Sequence, residues 1–474
     1  MPSEFLVSLR KDIAAIAPPE DSSIILQFEE RRLTFKNPKP GLRTALKTLA
    51  TVPTPPSQLK KIVCESDGFE GWQKFNLYLN KLAKLGWLCY SIVVNDVAIA
   101  TTVPISPDLQ ISPQPISATT KYILSRFAYT HQIAGETILE SPLSFCQIRL
   151  DWRGAALIAL LGTPQNIYEL SSQIPGISVD IAEQFISLLF NSQMLSTVDE
   201  NGVIAENENL ILAQWEFHDL LFHTRSRVGR HANPFGGTYR FVGKIDPLSA
   251  LKPLISNDLI DLYKPDLAAL AETDIPLTQV LETRKSIRQW EEQPITVEQL
   301  GEFLYRTARV KNIIKSDLAE LSQRAYPGGG GIYELEIYPV INRCQNLASG
   351  LYHYQPLSHQ LNHLTDKNEL VEALLQSAAS AMGVEEMPQI LLVISARFQR
   401  LTWKYQSMAY AIILKHVGVL YQNFYLVATA MNLAPCAIGA GNADLFAKAV
   451  RCDYYAESSV GEFVLGSRPV NSQT

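Results

Sequence analysis

Cysteine is scarce in this chain: 6 among 474 residues (Cys64, Cys89, Cys146, Cys344, Cys436 and Cys452), with no CxxC or CxxH pair. That excludes a disulfide scaffold and a zinc finger, and it fits a reducing cytosol, so a cytoplasmic protein is expected. Charge is sparse too. Charged residues make up 19%, and 41 Lys+Arg against 47 Asp+Glu leave −6, which argues against a chain built mainly to neutralise phosphate backbones. A long unbroken apolar run is also missing. In MAYAIILKHVGVLYQNFYLVATAMNLA the clean run Met408–Leu414 is followed by Lys415, His416, Gln422 and Asn423. A bilayer span needs about 20 mostly apolar residues in succession. The stretch instead predicts a long helix, apolar nearly all round, buried at the centre of a fold or a dimer. The first residues carry Glu4, Arg10, Lys11 and Asp12 with no apolar run after a basic start, so no secretory leader is expected.

Apolar residues, by contrast, reach 47%, enough for large cores, and the length suggests about three units. The first half holds one pattern twice. In residues 1–115, SSIILQFEERRLTFKN reads as a β-hairpin. Helical stretches follow around Leu42–Leu49, Gln58–Glu65 and Trp72–Leu85, with Gly86 as a stop. WLCYSIVV, the turn Asn95-Asp96 and VAIATT then form a wing-like hairpin. In residues 116–208, KYILSRFAYT and FCQIRLD read as strands. Helices Ala155–Leu161, Ile167–Gln173 and Asp180–Phe190 follow, and MLSTV–DENG–VIAE reads as a closing hairpin. Each copy looks like a winged helix. The candidate reading helix of the first copy carries three Lys without clustered Arg, and that of the second carries Asp180 and Glu183 and no basic residue, so no nucleic-acid partner is expected. A hairpin edge can instead take up a peptide as an added strand.

The third unit is residues 209–474, opening with a connecting segment to about 275. His218, Asp219, His223 and His231 match no standard ligand spacing, and no metal is expected there. In VLETRKSIRQW, a helix end brings Arg284, Ser286 and Arg288 within five residues. Two guanidiniums and a hydroxyl this close make either a phosphate site or a solvated basic turn. In RAYPGGGGIYELEIY, four glycines precede an alternating strand, Ile332–Ile341. They form either a loop that lets a flat ligand approach the backbone or a flexible hairpin entry. No GK[ST] follows, so it is not a Walker loop. A strand Gln389–Arg397 leads to the long helix, read as starting near Trp403 or Lys404 and ending near Asn432, with PCAIGAGN after it. Lys404 and Tyr405 then stand together at the helix start. An ammonium favours the phenolate of a neighbouring tyrosine, so the pair is either a proton relay or two exposed residues.

The order RxSxR, a glycine-rich loop before a strand, a long apolar helix with GVLYQN, then AIGAGN resembles the flavin-dependent nitroreductase superfamily. WEFHDLLFHTRSRVGRHANPFGGTYR, VLETRKSIRQW, RAYPGGGGIYELEIY, WKYQSMAYAIILKHVGVLYQN and LAPCAIGAGNAD resemble the SagB/ThcOx-type azoline dehydrogenases. With the tandem winged-helix front end, the resemblance is to the cyanobactin thiazoline oxidases. The fold it implies is α+β: two winged-helix-like units ahead of an FMN-binding, nitroreductase-like domain with a central antiparallel or mixed sheet and long buried helices.

The implied function is an FMN-dependent oxidase that dehydrogenates thiazolines, or oxazolines, in a ribosomally made, modified peptide, with O2 as final acceptor. A homodimer with FMN at its interface is implied as well. Arg284, Ser286 and Arg288 would hold the FMN phosphate and ribityl chain, and Arg468 would add a second positive contact. Pro327, Gly328 and Gly329 would approach the flavin from the partner subunit. Gln422 would lie along the cofactor, with the Ile438–Gly439 backbone near the ring edge. Lys404 and Tyr405 would abstract the proton. Many relatives carry Ser after the loop proline, where this chain has Gly328. Two other readings stand beside this one: a general flavin reductase using NAD(P)H, and a peptide-binding protein with an inactive flavin fold. A separate Rossmann GxGxxG is absent.

Overall fold

The computed structural model describes residues 5–16, 23–28, 30–106, 109 and 116–470. The chain divides into two compact units, Met1–Asn233 and Pro234–Thr474. The first therefore runs on past the 208/209 boundary expected from sequence.

In the first unit one sheet crosses the expected 115/116 boundary. Its order is Leu6–Leu9, Leu88–Val94, Val97–Pro104, Cys146–Leu150, Glu136–Glu140, Tyr129–Ile133. The Leu88–Val94/Val97–Pro104 hairpin turns on Asn95 and Asp96, both at positive φ (51° and 63°), the conformation that matches the twist of paired strands. The first copy's helices are Pro40–Thr51 and Pro56–Lys84, the latter broken at Gly68 (φ 73°). The expected two helices are thus separated by a single left-handed glycine. Trp152–Leu160, Ile167–Gln173 and Val179–Asn191 follow in the second copy, capped by Asp151, Asn166 and Ser178.

Two expectations for the second copy are corrected. KYILSRFAYT is not one strand: Lys121–Leu124 and Tyr129–Ile133 belong to different sheets. The hairpin partner of Leu195–Val198 is Lys121–Leu124, and VIAE contributes only a single bridge, Val198 to Ile204. One residue accounts for both. Buried Glu206 accepts from Ser125 Oγ and, at 3.1 Å, from Arg126 N, which breaks the first strand and turns Ala205–Glu208 into a helical turn.

The second unit is a three-layer sandwich. Its seven-stranded sheet is antiparallel throughout, in the order Leu259–Asp261, Gln360–Asp366, Gly350–Gln355, Leu335–Ile341, Ile390–Arg397, Glu457–Ser467, Leu433–Ile438. Side-chain alternation serves both faces. Leu392, Ile394, Phe463 and Leu465 pack under helices Val297–Ala308 and Ala409–Ala430. Leu391, Val393 and Val464 pack under Glu369–Met382 and Ala443–Val450. Ala409–Ala430 is long and apolar enough to cross a membrane. Its Ile413, Val417, Leu420, Phe424 and Ala428 are sealed in the core, while Tyr410, Leu414, Gly418 and Gln422 form an exposed stripe four residues apart. Burial is thus one-sided in the single chain.

Candidate functional site

The long helix starts at Ala409, later than expected. After the short helix Phe398–Thr402 the chain turns at Trp403–Lys404, and Tyr405–Gln406 pairs with Gly236–Gly237. Ser407, at φ 62°, breaks the path to the helix, and its hydroxyl donates to Pro234 O at 2.8 Å. Lys404 and Tyr405 therefore project from a pinned two-strand connection. The Lys404 ammonium lies 5.1 Å from the centre of the Tyr405 ring and 5.5 Å from that of Tyr239. The Tyr239 N–H donates to Lys404 O at 3.2 Å. Sequence reasoning gave Tyr239 no role.

The glycine loop meets this pair. Gly330 has φ 62°, and a Cβ there would fall against Lys404 Nζ and 2.8 Å from the Tyr405 hydroxyl. Gly329 N donates to His416 Nε2 at 2.7 Å, and His416 Nδ1 bonds to Glu334 Oε1 at 2.8 Å. Gly328 has its own cause: a Cβ would lie 2.7 Å from the Tyr333 ring, so a serine there has no room unless that ring moves. The Tyr333 hydroxyl closes the base of the loop by donating to Tyr326 O at 2.7 Å. Pro327 is exposed beside it.

Arg284 is the C-cap of helix Leu277–Thr283, its N–H donating to Val280 O at 3.0 Å, whereas Ser286 and Arg288 lie beyond the helix end. Helix Leu277–Thr283 stops, and an extended segment follows in which Ile287 N donates to Pro435 O at 2.9 Å. Ile287 is buried, while Ser286 and Arg288, two residues apart, are exposed. Ser286 Oγ lies 2.7 Å from the Tyr425 hydroxyl, which also accepts from Ala437 N at 2.8 Å. Arg284 stacks 5.1 Å from the Tyr425 ring centre. Among the described residues neither Arg284 nor Arg288 has a carboxylate partner. Two uncompensated guanidiniums beside a hydroxyl suit a phosphate. Cys436 is buried here, and burial raises its thiol pKa against the opposing pull of Arg288.

Ile438 is buried at the end of its strand, while Gly439 has nothing within 4 Å of a Cβ and faces open space. Two residues on, Gly441 abuts the Glu462 carboxylate, whose pKa burial raises. Gln422 is exposed one turn before Tyr425. Arg468 extends from the last strand to Asn432 Oδ1 at 3.3 Å, and Ser467 O accepts from Glu291 N at 3.4 Å. Within one chain the loop and the arginine segment lie apart. His416 and Tyr425 are nine residues apart on the helix, about 14 Å in rise and about half a turn around.

The histidine-rich segment forms no metal cluster among the described residues. His223 stacks on Trp215 at 5.8 Å, and His231 Nδ1 accepts from Asn233 N at 3.1 Å.

Sequence reasoning missed His416, Glu334, Tyr239 and Tyr425 as site residues. The available signal was His416 itself, a polar interruption in an apolar helix.

This fold and site define an oxidoreductase of nitroreductase type. Residues 281–466 match the model of the nitroreductase family. Ahead of it, residues 1–113 match the ThcOx helix turn helix domain and 122–232 the cyanobactin oxidase ThcOx. The chain is a SagB/ThcOx-type member of the nitroreductase superfamily, with helix-turn-helix units before its nitroreductase domain. A putative nitroreductase of Methanocaldococcus jannaschii is 28% identical over 183 residues, 39% of this chain and 85% of that protein. The microcin B17-processing protein McbC of Escherichia coli is 31% identical over 117 residues, 23% of this chain and 42% of that protein. Among solved structures, the E. coli microcin synthetase McbBCD complex with truncated pro-MccB17 bound has a similar chain. It is 19% identical, with a TM-score of 0.34, covering 53% of this chain and 91% of that one.

Proposed function

We propose that this chain dehydrogenates thiazolines, and by the same chemistry oxazolines, within a ribosomally made, modified peptide. The products are the aromatic azoles, FMN is the cofactor and O2 the final electron acceptor. The convergence of Lys404, Tyr405 and side-chain-free Gly330 carries the reading, because it presents a base beside a wall that a flat ring can approach.

Aromatising an azoline removes two hydrogens, one as a proton and the other as a hydride that carries both electrons to the acceptor. Tyr405, as phenolate, takes that proton from the ring carbon and becomes the phenol. Lys404 holds the phenolate charge before the transfer. The reverse assignment, with Lys404 as base, uses the same geometry. Bound FMN supplies the two-electron acceptor. Arg284, Ser286 and Arg288 hold its phosphate, with Arg468 as a second positive contact. Gln422 and the Ile438–Gly439 backbone border the rest, and Gly439, open to a Cβ, leaves room there.

Pro327, Gly328 and Gly329 reach this site from a second copy in a homodimer. Two observations support that arrangement: one chain separates the loop from the arginine segment, and Tyr410, Leu414, Gly418 and Gln422 line an exposed helix face.

The N-terminal unit grips the peptide. Arg31–Phe35 is an edge strand in the order Ala14–Ile16, Ile24–Phe28, Arg31–Phe35. A cleft of about 350 Å³ beside it is lined by Phe35, Lys36, Lys74 and Tyr78. The six unpaired cysteines support a cytoplasmic setting.

A second reading, reduction of nitro compounds with NAD(P)H, draws on the similarity to the M. jannaschii protein. The test is mass spectrometry of a thiazoline-bearing peptide after aerobic incubation with purified protein and FMN. Loss of two hydrogens per ring supports the oxidase. An unchanged peptide together with steady NADPH consumption overturns it in favour of the reductase.

A further inference from the structure

We propose that His416, held by Glu334, is the positioning residue that sets where the glycine loop sits, and with it the wall facing Lys404 and Tyr405. The activity part of this inference rests on the azoline-oxidase reading; the hydrogen-bond assignment does not.

An imidazole on the buried face of an apolar helix is costly unless both nitrogens are bonded. Here both are. Nδ1 meets Glu334 Oε1 at 2.8 Å, and Glu334 is fully buried. A backbone N–H only donates, so the ring nitrogen facing Gly329 carries no proton and Nδ1, facing Glu334, does. Nε2 is then a lone-pair acceptor, and Gly329 N–H donates to it at 2.7 Å. Glu334 is itself anchored, since its carbonyl accepts from Arg397 N at 3.0 Å at the end of the central strand Ile390–Arg397. A continuous line therefore runs from the sheet through Glu334 and the imidazole to the loop.

The ends of the loop are held by the Tyr333 hydroxyl on Tyr326 O and by buried Arg400 donating to Ile332 O, but among the described residues His416 makes the one side-chain hydrogen bond to its glycines. The bonds from Gly331 N to Gly328 O (3.2 Å) and Ile332 N to Gly329 O (3.4 Å) close its turn without tying it to the domain. Four consecutive glycines also forgo side-chain packing and lose the most freedom on ordering. Between its tied ends, the bond to His416 thus sets where the glycines of the loop lie. The next residue, Gly330, is the one that lies against Lys404 Nζ and the Tyr405 hydroxyl. Releasing Gly329 moves that wall.

Two measurements test this. In the intact protein labelled with 15N-histidine, the His416 ring should show the Nδ1–H tautomer with Nε2 accepting. An Nε2–H tautomer overturns the proposal. In kinetics, His416→Phe keeps the ring's bulk without an acceptor. It should lower kcat about 10- to 100-fold, with KM for the thiazoline peptide changed less than about threefold. His416→Gln, whose amide oxygen can accept from Gly329, should recover a large part of the loss. A His416→Phe protein that turns over like the wild type overturns the proposal. If that variant does not fold, the tautomer of the wild type decides. If the wild type itself leaves the azoline intact, the oxidase reading falls, and the tautomer still decides the His416 assignment.

Discussion

The Lys404 ammonium lies 5.1 Å from the centre of the Tyr405 ring, on a segment clamped by Gly236–Gly237 rather than on the mobile first turn of a helix. A general base held this way contributes about 10²- to 10⁴-fold. Tyr405→Phe should therefore lower kcat by that order with flavin content unchanged, measured by absorbance and single-turnover kinetics. Lys404→Ala should fall into the same range. Lys404→Arg should retain activity if the side chain only holds the phenolate charge, and lose it if the amine is the base.

Gly330→Ala tests the wall independently. Its φ of 62° suits glycine, and the added methyl falls against Lys404 Nζ. The left-handed backbone alone costs about 1–2 kcal/mol, visible as a lower melting temperature. The displaced ammonium should lower kcat at least about tenfold. An unaffected enzyme would mean that the loop and the pair do not share a site.

Phosphate holding by the extended arginine segment predicts graded losses in FMN affinity. Hydrogen bonds to charged groups contribute about 1.5–3 kcal/mol. Arg284→Ala and Arg288→Ala should each weaken binding about 10- to 100-fold in a fluorescence titration of apoprotein, and Ser286→Ala by less than about tenfold. Riboflavin, which lacks the phosphate, should be indifferent to both arginine substitutions.

Beneath the loop, buried Glu336 meets His353 Nε2 at 3.1 Å and Arg397 at 3.3 Å. Burial alone would raise its pKa, but His353, Arg324 and Arg397 outweigh it and hold the carboxyl at about 2, below the ordinary 4.5. Because the folded value lies below the unfolded one, this stability is present above about pH 4.5 and is lost as pH falls towards about 2. Urea melts across that window should show the decline. At neutral pH, Glu336→Gln strands Arg397 and should cost about 3–5 kcal/mol, with the acid-side slope flattened.

Peptide capture at the Arg31–Phe35 edge calls for a gentler test than removing residues 1–115, because Leu88–Val94 and Val97–Pro104 belong to the sheet shared with Cys146–Leu150. Proline placed singly at Arg32, Leu33 and Thr34 withdraws one N–H at a time. Where that N–H faces outward, the fold should survive and KM should rise for leader-bearing peptide while staying unchanged for a short azoline. Equal KM values for both substrates would remove this edge from the account.

Periodicity and turn chemistry carried much of the fold. Gly86, Asn95-Asp96 and the helix Ile167–Gln173 are local features, and local chemistry sets them. The failures came from long-range bonds. Glu206, eighty residues away, splits KYILSRFAYT, and Ile287 is drawn straight by Pro435. The glycine loop and the Lys404–Tyr405 pair were legible as residue types, and their meeting at Gly330 was not, since 74 residues separate Gly330 from Lys404. His416 showed only as an interruption, because its purpose depends on Glu334 and Gly329 arriving from another element.

The most direct measurement is the absorption spectrum of the purified protein reconstituted with FMN, recorded without oxygen before and after adding a thiazoline-containing peptide. The account predicts flavin bands that bleach on addition and return when air is admitted, with thiazole in the recovered peptide. Bands that persist with the peptide but bleach with NADPH would contradict the oxidase and favour the reductase. A protein that takes up no FMN would contradict the flavin site as a whole.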